Sequence, residues 1–327
     1  MKLGYTLSSE EHAPNDLVRH AAMAEEAGFA FASISDHYHP WVDEQGHSPF
    51  VWSVLGGIAQ ATERIVVGTG VTCPTLRIHP AIIAQAAATA ECMMPGRFYL
   101  GVGSGENLNE HIIGEGWPET GIRQEMLEEA IDIIRHLWEG GYQSYYGEFF
   151  AVENARIYTM PDSPPPIHVA ASGPKAAELA GRTGDGLISV ATNSELVQTF
   201  EEAGGNDKPK YAQFHVCWAK TEDEGVQTAL RVWPNAATPG ALSAELPLPS
   251  HFKAAAELVR EDDIAKQVVC GPDPDRQAAK IKEYTDAGFD HIYVHQIGPN
   301  QEEFIDFFKR EVMPGLDVET LAEVLAR

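Results

Sequence analysis

Two hydrophobic periods alternate along most of the chain. Short apolar runs are typical of buried strands, and four of them occur in the first third of the sequence, at 2–7, 29–35, 65–71 and 98–103. Between and after them, apolar positions recur every three or four residues, as in amphipathic helices, at about 16–27, 50–62, 80–93 and 122–138. Strands that alternate with helices in this way predict a parallel α/β fold.

The alternation is interrupted twice. The run G-Y-Q-S-Y-Y-G-E-F-F-A-V at 141–152 predicts a β-hairpin, because a glycine separates two aromatic stretches. The proline-rich stretch at 234–249 predicts an insertion or a lid. Four further strand-like runs lie around these interruptions, at 167–171, 186–191, 211–219 and 291–296.

Eight strands that each lead into a helix predict a (β/α)8 TIM barrel. We expect a single barrel domain over 1–327, with insertions near 141–158 and 234–263, because such barrels routinely exceed about 250 residues. A doubly wound open sheet is the alternative fold. Against it, no G-x-G-x-x-G motif follows the first strand.

Composition narrows the class of protein. Apolar residues make up 44% of the chain, so a large core can be buried. There is no apolar run of about 18 residues, and the start M-K-L-G-Y-T-L lacks a signal-peptide pattern, so we expect no membrane segment. The four cysteines form neither a C-x-x-C motif nor a metal-ligand spacing. This predicts reduced thiols, no metal site and a cytoplasmic location.

The charge is strongly negative. The chain has 48 Asp and Glu against 23 Lys and Arg, a formal net charge of −25. A nucleic-acid partner is not expected, because such proteins need basic patches. Strong salt would screen the self-repulsion of such a surface. The charge therefore suggests the acidic proteome of a halophile, although acidic proteins also occur in ordinary organisms.

Polar, glycine-rich segments follow four of the predicted strands. They are D-H-Y-H-P-W at 36–41, T-C-P-T-L-R at 72–77, S-G-E-N-L-N-E at 104–110 and S-G-P-K at 172–175. In a barrel, catalytic groups lie at the C-terminal ends of the strands. The sequence therefore places all four segments at one rim, around a small-molecule substrate.

The first of these segments holds the candidate general base. His37 titrates near neutrality, and Trp41 could shield it from water. His39 competes for the role, since the alternation of side chains at a strand end aims both histidines alike. A purely structural histidine is the other interpretation.

Two other positions carry candidate chemistry. Glu106 lies in G-S-G-E-N, where glycines let the backbone approach a ligand, and its carboxyl could act as an acid or a base. A helix-start glutamate that interacts with the helix dipole would look the same. Gly173 and Pro174 open a helix whose free N–H groups could hold a phosphate. Ordinary strand-to-helix turn chemistry is the alternative.

Several segments in order carry a resemblance to a known family. They are D-H-Y-H-P-W, G-T-G-V-T-C-P-T, R-I-H-P-A-I-I-A-Q, G-V-G-S-G-E-N-L-N-E and A-G-R-T-G-D-G. With them the chain resembles the luciferase-like barrel enzymes, and in particular the branch that uses coenzyme F420, an 8-hydroxy-5-deazaflavin. The match runs from the first strand to about Leu316.

The resemblance implies a role for each catalytic candidate. Asp36 would contact the deazaflavin ring system, and His37 would take the proton from a substrate hydroxyl. Trp41 would stabilise charge on the substrate side. Glu106 would serve the ring nitrogen that gains a proton as hydride reaches the ring carbon.

The resemblance also implies a set of cofactor contacts. Ser104, Gly105 and Asn109 would line the cofactor, and Ser172, Gly173, Lys175 and Ala176 would hold its phosphate tail. Gly70 and Val71 match the site of a non-proline cis peptide in the family. Cys73 falls where sugar-phosphate members have a hydroxyl residue against the ring, so that contact is in question.

The substrate side departs from the sugar-phosphate members of this branch. Those enzymes hold the substrate phosphate with two lysines and an arginine, since a dianion needs cations. Here Val190 and Asn193 stand where a threonine and the first lysine are expected, and Gln267 stands in place of the arginine. The stretch 240–245, where the second lysine would fall, contains none.

An uncharged alcohol or carbonyl substrate is therefore favoured, with a secondary alcohol dehydrogenase of this branch as the model. Its candidate contacts are His39, Val190, Asn193 and Gln267. A sugar-6-phosphate dehydrogenase is the alternative, and Lys253 or Arg276 would then have to replace the missing cations.

Three further hypotheses complete the expectations. An FMN-dependent monooxygenase of the same superfamily is a second alternative, although the D-H-x-x-P-W and G-x-G-E segments argue against it. A non-catalytic cofactor-binding relative would be expected to lack His37 or Glu106, and both are present. We also expect a homodimer, with the amphipathic segment after Leu316 packing on the neighbouring subunit or lying in solvent.

Overall fold

Eight parallel strands close into a barrel in the computed structural model, which describes residues 1–319. They are β1 (Lys2–Leu7), β2 (Phe31–Ile34), β3 (Val66–Thr69), β4 (Phe98–Val102), β7 (Ile167–Ala170), β8 (Gly186–Ser189), β9 (Lys210–Cys217) and β11 (His291–Gln296). Strand β1 pairs with β2 on one side and β11 on the other, and β8 pairs with β9, so the ring is complete. The predicted (β/α)8 barrel is confirmed.

Three strands lie outside the ring. β5 (Gln143–Tyr146) and β6 (Ala151–Ala155) form a separate antiparallel hairpin where one was predicted. β10 (Val268–Cys270) pairs in parallel with the last three residues of β9 and was not predicted. Its three residues are too short to give a hydrophobic period.

Thirteen α-helices lie within residues 1–319. They are α1 (Pro14–Ala27), α2 (Val51–Ala61), α3 (Pro80–Met93), α4 (Asn107–Glu110), α5 (Thr120–Trp138), α6 (Pro174–Thr183), α7 (Ser194–Phe200), α8 (Glu222–Val232), α9 (Gly240–Glu245), α10 (Pro249–Ala256), α11 (Glu261–Gln267), α12 (Pro274–Asp286) and α13 (Gln301–Phe307). None of these described helices is both long and apolar enough to cross a membrane. The segment after Leu316 that we associated with a dimer lies largely outside the described residues.

Aromatic rings close the barrel at the N-terminal ends of its strands. The buried cluster there consists of Ala30, Phe31, Tyr99, Ile188, Tyr211 and Tyr293. The Phe31 and Tyr211 rings meet edge to face with their centroids 5.1 Å apart. Gly68 is required here, because a Cβ atom at this position would lie 2.1 Å from the Tyr99 ring. A barrel plugged at this end leaves the opposite end as its open mouth.

The second predicted insertion is helical and lies beside that mouth. It contains a 3₁₀ turn at Pro234–Ala237 and then α9, α10 and α11. The Asn107 side-chain amide donates to the Glu245 carbonyl at 2.9 Å, and the Phe252 ring packs edge to face on Trp41 at 5.0 Å. The insertion therefore touches two of the polar segments that follow barrel strands.

Candidate active site

His37 lies between two carboxyl groups at the barrel mouth. It follows β2, and its Nε2 is 3.4 Å from Glu10 Oε1 and 3.4 Å from Glu106 Oε2. Its Nδ1 lies 3.1 Å from the His39 carbonyl oxygen. Only 10% of the His37 side chain is exposed. The ring is thus held from one nitrogen by the backbone and presents the other to both acids.

His37, Glu10 and Glu106 shift one another's pKa values. Burial disfavours the charged imidazolium, but the Glu10 and Glu106 carboxylates outweigh burial and raise the pKa of His37. Burial also works against the charge on Glu10, yet His37 and the Ser35 hydroxyl hold the pKa of Glu10 below its ordinary value. Ser35 donates to Glu10 Oε2 at 2.6 Å. Glu10 is therefore the ionised member of the group near neutral pH.

The pKa of Glu106 is shifted in the opposite direction from that of Glu10. Burial, opposed by His37 and assisted by Glu10 and Glu110, raises the pKa of Glu106 to about 7, although a third of its side chain is exposed. A carboxyl group with this pKa is present in both protonation states near neutrality, as general acid–base chemistry needs. Gly105 precedes it with a φ of 82°, and a Cβ there would lie 2.6 Å from Cys73 Sγ. Glycine is thus needed to aim Glu106 into the mouth.

Asn109 joins the loop after β2 to the segment after β4. Its side-chain oxygen accepts from the backbone N–H groups of Tyr38 at 2.9 Å and His39 at 3.2 Å. Its side-chain amide donates to Glu106 Oε2 at 3.2 Å. Asn109 is buried, so it fixes the relative position of the His37 loop and Glu106. Its predicted contact with the cofactor stays a prediction.

Trp41 covers one side of His37. The two rings lie 5.1 Å apart at a tilt of 56°, and Trp41 is itself 9% exposed. The Trp41 backbone N–H donates to Gln45 Oε1 at 2.8 Å, and Gln45 in turn donates to the Val232 carbonyl. The Trp41 backbone is therefore fixed, and the indole between His37 and Phe252 limits the access of water to His37.

His39, the competing candidate base, points elsewhere. Its Nδ1 lies 2.9 Å from the Leu108 carbonyl oxygen, and its ring stacks on His111 at 5.6 Å with an interplanar angle of 17°. Among the described residues it makes no ion pair with a carboxylate. The geometry favours His37 as the base and leaves His39 at the rim.

A buried network of ion pairs and hydrogen bonds holds the start of the loop after β2. Asp36 Oδ2 accepts from the Thr72 hydroxyl at 2.7 Å, and Oδ1 accepts from the Arg77 guanidinium at 2.8 Å. Arg77 Nε lies 3.6 Å from Glu110 Oε1, and its backbone N–H donates to Glu110 Oε2 at 2.7 Å. Both Asp36 oxygens thus have protein partners. Its predicted contact with the ring system stays a prediction beside this structural role.

The segment after β3 has the backbone feature that the resemblance implies. The peptide bond between Gly70 and Val71 is cis. Cys73 follows two residues later and is buried, with its Sγ 3.1 Å from the Thr75 hydroxyl. Burial raises the pKa of the Cys73 thiol to about 12, so it stays a neutral thiol.

The helix N-terminus that was predicted to hold a phosphate follows β7. Gly173 precedes α6, and no side chain caps the N-terminal N–H groups of this ten-residue helix. Ser172 and Lys175 are exposed, and Lys175 makes no ion pair with any residue in 1–319. Free backbone donors, a free lysine and the small residue Ala176 suit a phosphate group. This donor set fits the phosphate tail of the cofactor that the resemblance implies.

The predicted substrate contacts on this side carry no charge. Val190 is 58% exposed, and Gln267 is exposed at the end of α11. The Asn193 side chain caps α7, accepting from the Glu195 and Leu196 N–H groups at 3.0 and 3.3 Å. A capping role is a competing use of this side chain.

The two replacement cations are already paired. Lys253 contacts Glu44 at 2.5 Å, and Arg276 contacts Glu222 at 2.7 Å, both between exposed side chains. These pairs involve neither His37 nor Glu106. The structure therefore gives no support to a phosphate site rebuilt from Lys253 or Arg276.

The sequence analysis overlooked three members of the site: Glu10, Arg77 and Glu110. Glu10 stands in S-S-E-E directly after β1. The rule that catalytic groups follow barrel strands would have found it if applied to the first strand as well. Arg77 and Glu110 lie in quoted segments, but nothing local shows that they pair across 33 residues.

Comparison with known proteins defines the class. The family model for luciferase-like monooxygenases matches residues 1–291. The chain belongs to the luciferase-like family, as its sequence segments indicated.

Individual relatives define the similarity more narrowly than the family model does. The chain is 36% identical over 334 aligned positions to the F420-dependent glucose-6-phosphate dehydrogenase of Mycobacterium avium, covering 97% of this chain and 98% of the relative. It is 37% identical to the enzyme of the same name from Mycolicibacterium gilvum, with the same coverage. Among solved structures, an F420-dependent secondary alcohol dehydrogenase in complex with an F420–acetone adduct superimposes with a TM-score of 0.90 at 30% identity. That superposition covers 97% of this chain and 99% of the other.

Proposed function

We propose that this protein transfers a hydride between an uncharged alcohol and coenzyme F420. The broader statement is that it is an F420-dependent oxidoreductase, a dehydrogenase of the luciferase-like family. The observation that carries the proposal is the position of His37, with Nε2 3.4 Å from two carboxyl groups beside Trp41 at the barrel mouth. When bound, the deazaflavin supplies the ring carbon that accepts or returns the hydride.

His37 is the proposed base. Its Nε2 accepts the hydroxyl proton as the hydride leaves the carbon that bears this hydroxyl group. The ionised Glu10 carboxylate stabilises the imidazolium that forms, and Trp41 keeps water from competing for the proton. In the reverse direction the imidazolium returns the proton to a carbonyl oxygen.

Glu106 is the proposed proton donor on the cofactor side. With a pKa of about 7 it is partly protonated near neutrality. It can therefore give a proton to the ring nitrogen and take it back. Asn109 holds one of its oxygens and fixes its orientation.

The remaining cofactor contacts are proposed from the donor set. The free backbone N–H groups of Gly173, Lys175 and Ala176, with the side chains of Ser172 and Lys175, would hold the phosphate tail. The segments after β2, β3 and β4 would receive the ring system, through the residues Asp36, Gly70, Val71, Cys73, Ser104 and Gly105.

We propose an uncharged substrate because the side chains at the predicted substrate contacts carry no positive charge. Val190, Asn193 and Gln267 supply no cation, and a phosphate dianion without one would be poorly held. A sugar-6-phosphate dehydrogenase is the second candidate, because the relatives at 36% and 37% identity carry that name. Lys175, which has no ion-pair partner within residues 1–319, would then be a cation to consider.

The test follows the loss of deazaflavin absorbance with purified protein in high-salt buffer. Isopropanol and glucose 6-phosphate are offered side by side. We expect reduction with isopropanol. Reduction with the sugar phosphate alone would establish the second candidate, and a protein that binds no deazaflavin would overturn both.

We also propose a cytoplasmic homodimer. The cleft between α2 and α3 carries exposed apolar side chains, including Ile82 at 56% and Met93 at 38% exposure. Trp52 and Leu55 line the same cleft, and an apolar cleft of this kind suits a second copy of the chain. Light scattering should give twice the chain mass of 35.7 kDa; a single-chain mass would exclude the dimer.

A further inference from the structure

A second chain of titratable side chains lies at the barrel mouth, on the other side of Glu10 from His37. Glu11 Oε2 is 2.8 Å from His295 Nε2, and His295 Nδ1 is 3.0 Å from His215 Nδ1. Glu11 and His295 are almost fully buried, with side-chain exposures of 3% and 1%. The reaction proposed above uses none of these three residues.

His215 faces the inside of the barrel near its open end. Side chains alternate along β9, and Tyr211 joins the aromatic plug while Gln213 donates to the Thr6 hydroxyl at 3.0 Å. His215 is the next inward residue and lies one layer closer to the mouth. It is partly exposed, so solvent reaches it through the mouth.

One nitrogen of His215 is free. Among residues 1–319, His215 Nε2 has no hydrogen-bond partner, and it is not among the enclosed atoms that lack one. A buried polar atom left unpaired is costly, whereas an accessible one is available to a ligand. His215 therefore presents a polar atom to whatever occupies the mouth.

The hydrogen bonds of Glu11 and His295 bear on whether His215 Nε2 donates or accepts a hydrogen bond. Glu11 Oε1 accepts the Gly298 N–H at 2.8 Å, and a carboxylate only accepts, so His295 Nε2 carries a proton. In the tautomer in which His215 Nδ1–H donates to His295 Nδ1, His215 Nε2 keeps a lone pair. Burial lowers the pKa of His215 to about 3, so the ring is neutral near pH 7 and its free nitrogen is available for a hydrogen bond with a ligand.

The spacing of strands places this acceptor away from the reacting carbon. Strands β2, β1, β11 and β9 are consecutive in the barrel wall. With about 4.8 Å between neighbours, β2 and β9 lie about 14 Å apart along the wall. His37 and His215 thus face different parts of a bound substrate.

We infer that His215 Nε2 accepts a hydrogen bond from a second hydroxyl group of the substrate, with Glu11 and His295 as positioning residues. The substrate is then an uncharged, polyhydroxylated alcohol rather than a simple one. This inference rests on the proposed function, since it concerns the same mouth and the same reaction.

The test compares glucose and isopropanol as substrates of the F420-loaded enzyme. His215→Phe keeps the ring size and removes both nitrogens. We expect it to raise KM for glucose about tenfold, the value of one hydrogen bond to a neutral group, and to leave kcat/KM for isopropanol within about twofold. His215→Gln, which retains an acceptor, should recover part of the loss. His136→Phe on the outer surface of α5 is the matched control.

Imidazole nitrogen spectra give a readout that does not depend on turnover. In the wild-type protein His215 Nε2 should appear unprotonated at neutral pH, and its resonance should move with glucose but not with isopropanol. An unmoved resonance, or an equal loss for both substrates in His215→Phe, would overturn the inference. Failure of the proposed function has a different signature, since the wild-type protein would then reduce the deazaflavin with neither glucose nor isopropanol.

Discussion

The two sides of the barrel mouth are built differently. At the ends of β1, β2 and β4, His37 contacts both Glu10 and Glu106, and further hydrogen bonds hold the two acids. At the ends of β7 and β8, the side chains of Lys175 and Val190 are exposed, and Lys175 has no ion-pair partner in the described part of the chain. One side is fixed before any ligand arrives, and the other is open.

The two sides meet two different functional requirements, proton transfer and ligand recognition. Proton transfer needs donor and acceptor held within hydrogen-bond reach, and a preorganised site supplies this. Recognition of a cofactor tail or of a substrate group needs free donors, so those groups are unpaired in the free protein. Substitutions on the fixed side should therefore change rate constants, and those on the open side should change affinities.

The largest effect is expected for His37→Ala. Removal of a general base costs about 10²- to 10⁴-fold in rate, so turnover should be lost while deazaflavin binding, followed by fluorescence titration, is retained. His39→Ala is the matched control, because its ring contacts Leu108 and His111 rather than the acids. Unchanged turnover in His37→Ala, with a loss in His39→Ala, would transfer the role to His39.

Glu106→Gln should come next, with a rate loss of about 10²-fold and a changed pH profile. The productive form has a neutral His37 and a protonated Glu106, which is one proton on the pair. The wild-type rate should therefore rise as a first proton leaves and fall as the second leaves, with apparent pKa values that belong to the pair. The fall, near pH 7 because the pKa of Glu106 is about 7, should disappear in the variant. A bell-shaped profile that survives the substitution would exclude the proton role.

The fixed side was largely predictable from sequence. Buried strands give uniform apolar runs, and the strand-end rule then places 36–41 and 104–110 together at one rim. This was enough to select His37 and Glu106. It did not separate His37 from His39, because the loop after β2 turns at Asp36 and is held by Asn109, which lies 70 residues away from His39.

The long-range partnerships were not predictable. Glu11 and His295 are 284 residues apart, and His215 and His295 are 80 apart. Their contacts depend on the closure of the barrel between β1 and β11 and on the register of β9. No local period encodes either feature. On the open side, Asn193 illustrates another limit, since one side chain suits both a helix cap and a ligand.

A smaller effect is expected for Lys175→Ala on the open side. An exposed lysine paired with a phosphate contributes modestly, so the Kd for the deazaflavin should rise about two- to fivefold, with kcat nearly unchanged. The difference should shrink as salt screens the charges. Lys282→Ala, on the exposed face of α12, is the control. A fall in kcat with an unchanged Kd would place Lys175 with the reacting groups and remove the distinction between the two sides.

The smallest effect is expected for Asn193→Ala. Loss of a helix cap of this kind lowers the free energy of unfolding by about 1 kcal/mol, and denaturant unfolding can measure this. Because the side-chain oxygen already accepts from Glu195 and Leu196, KM for the alcohol should not change. Asn206→Ala, at an exposed position near the end of the same helical segment, is the matched control. If KM rises while stability holds, Asn193 is a substrate contact, and the open side then provides specificity through a polar group as well as through its missing cations.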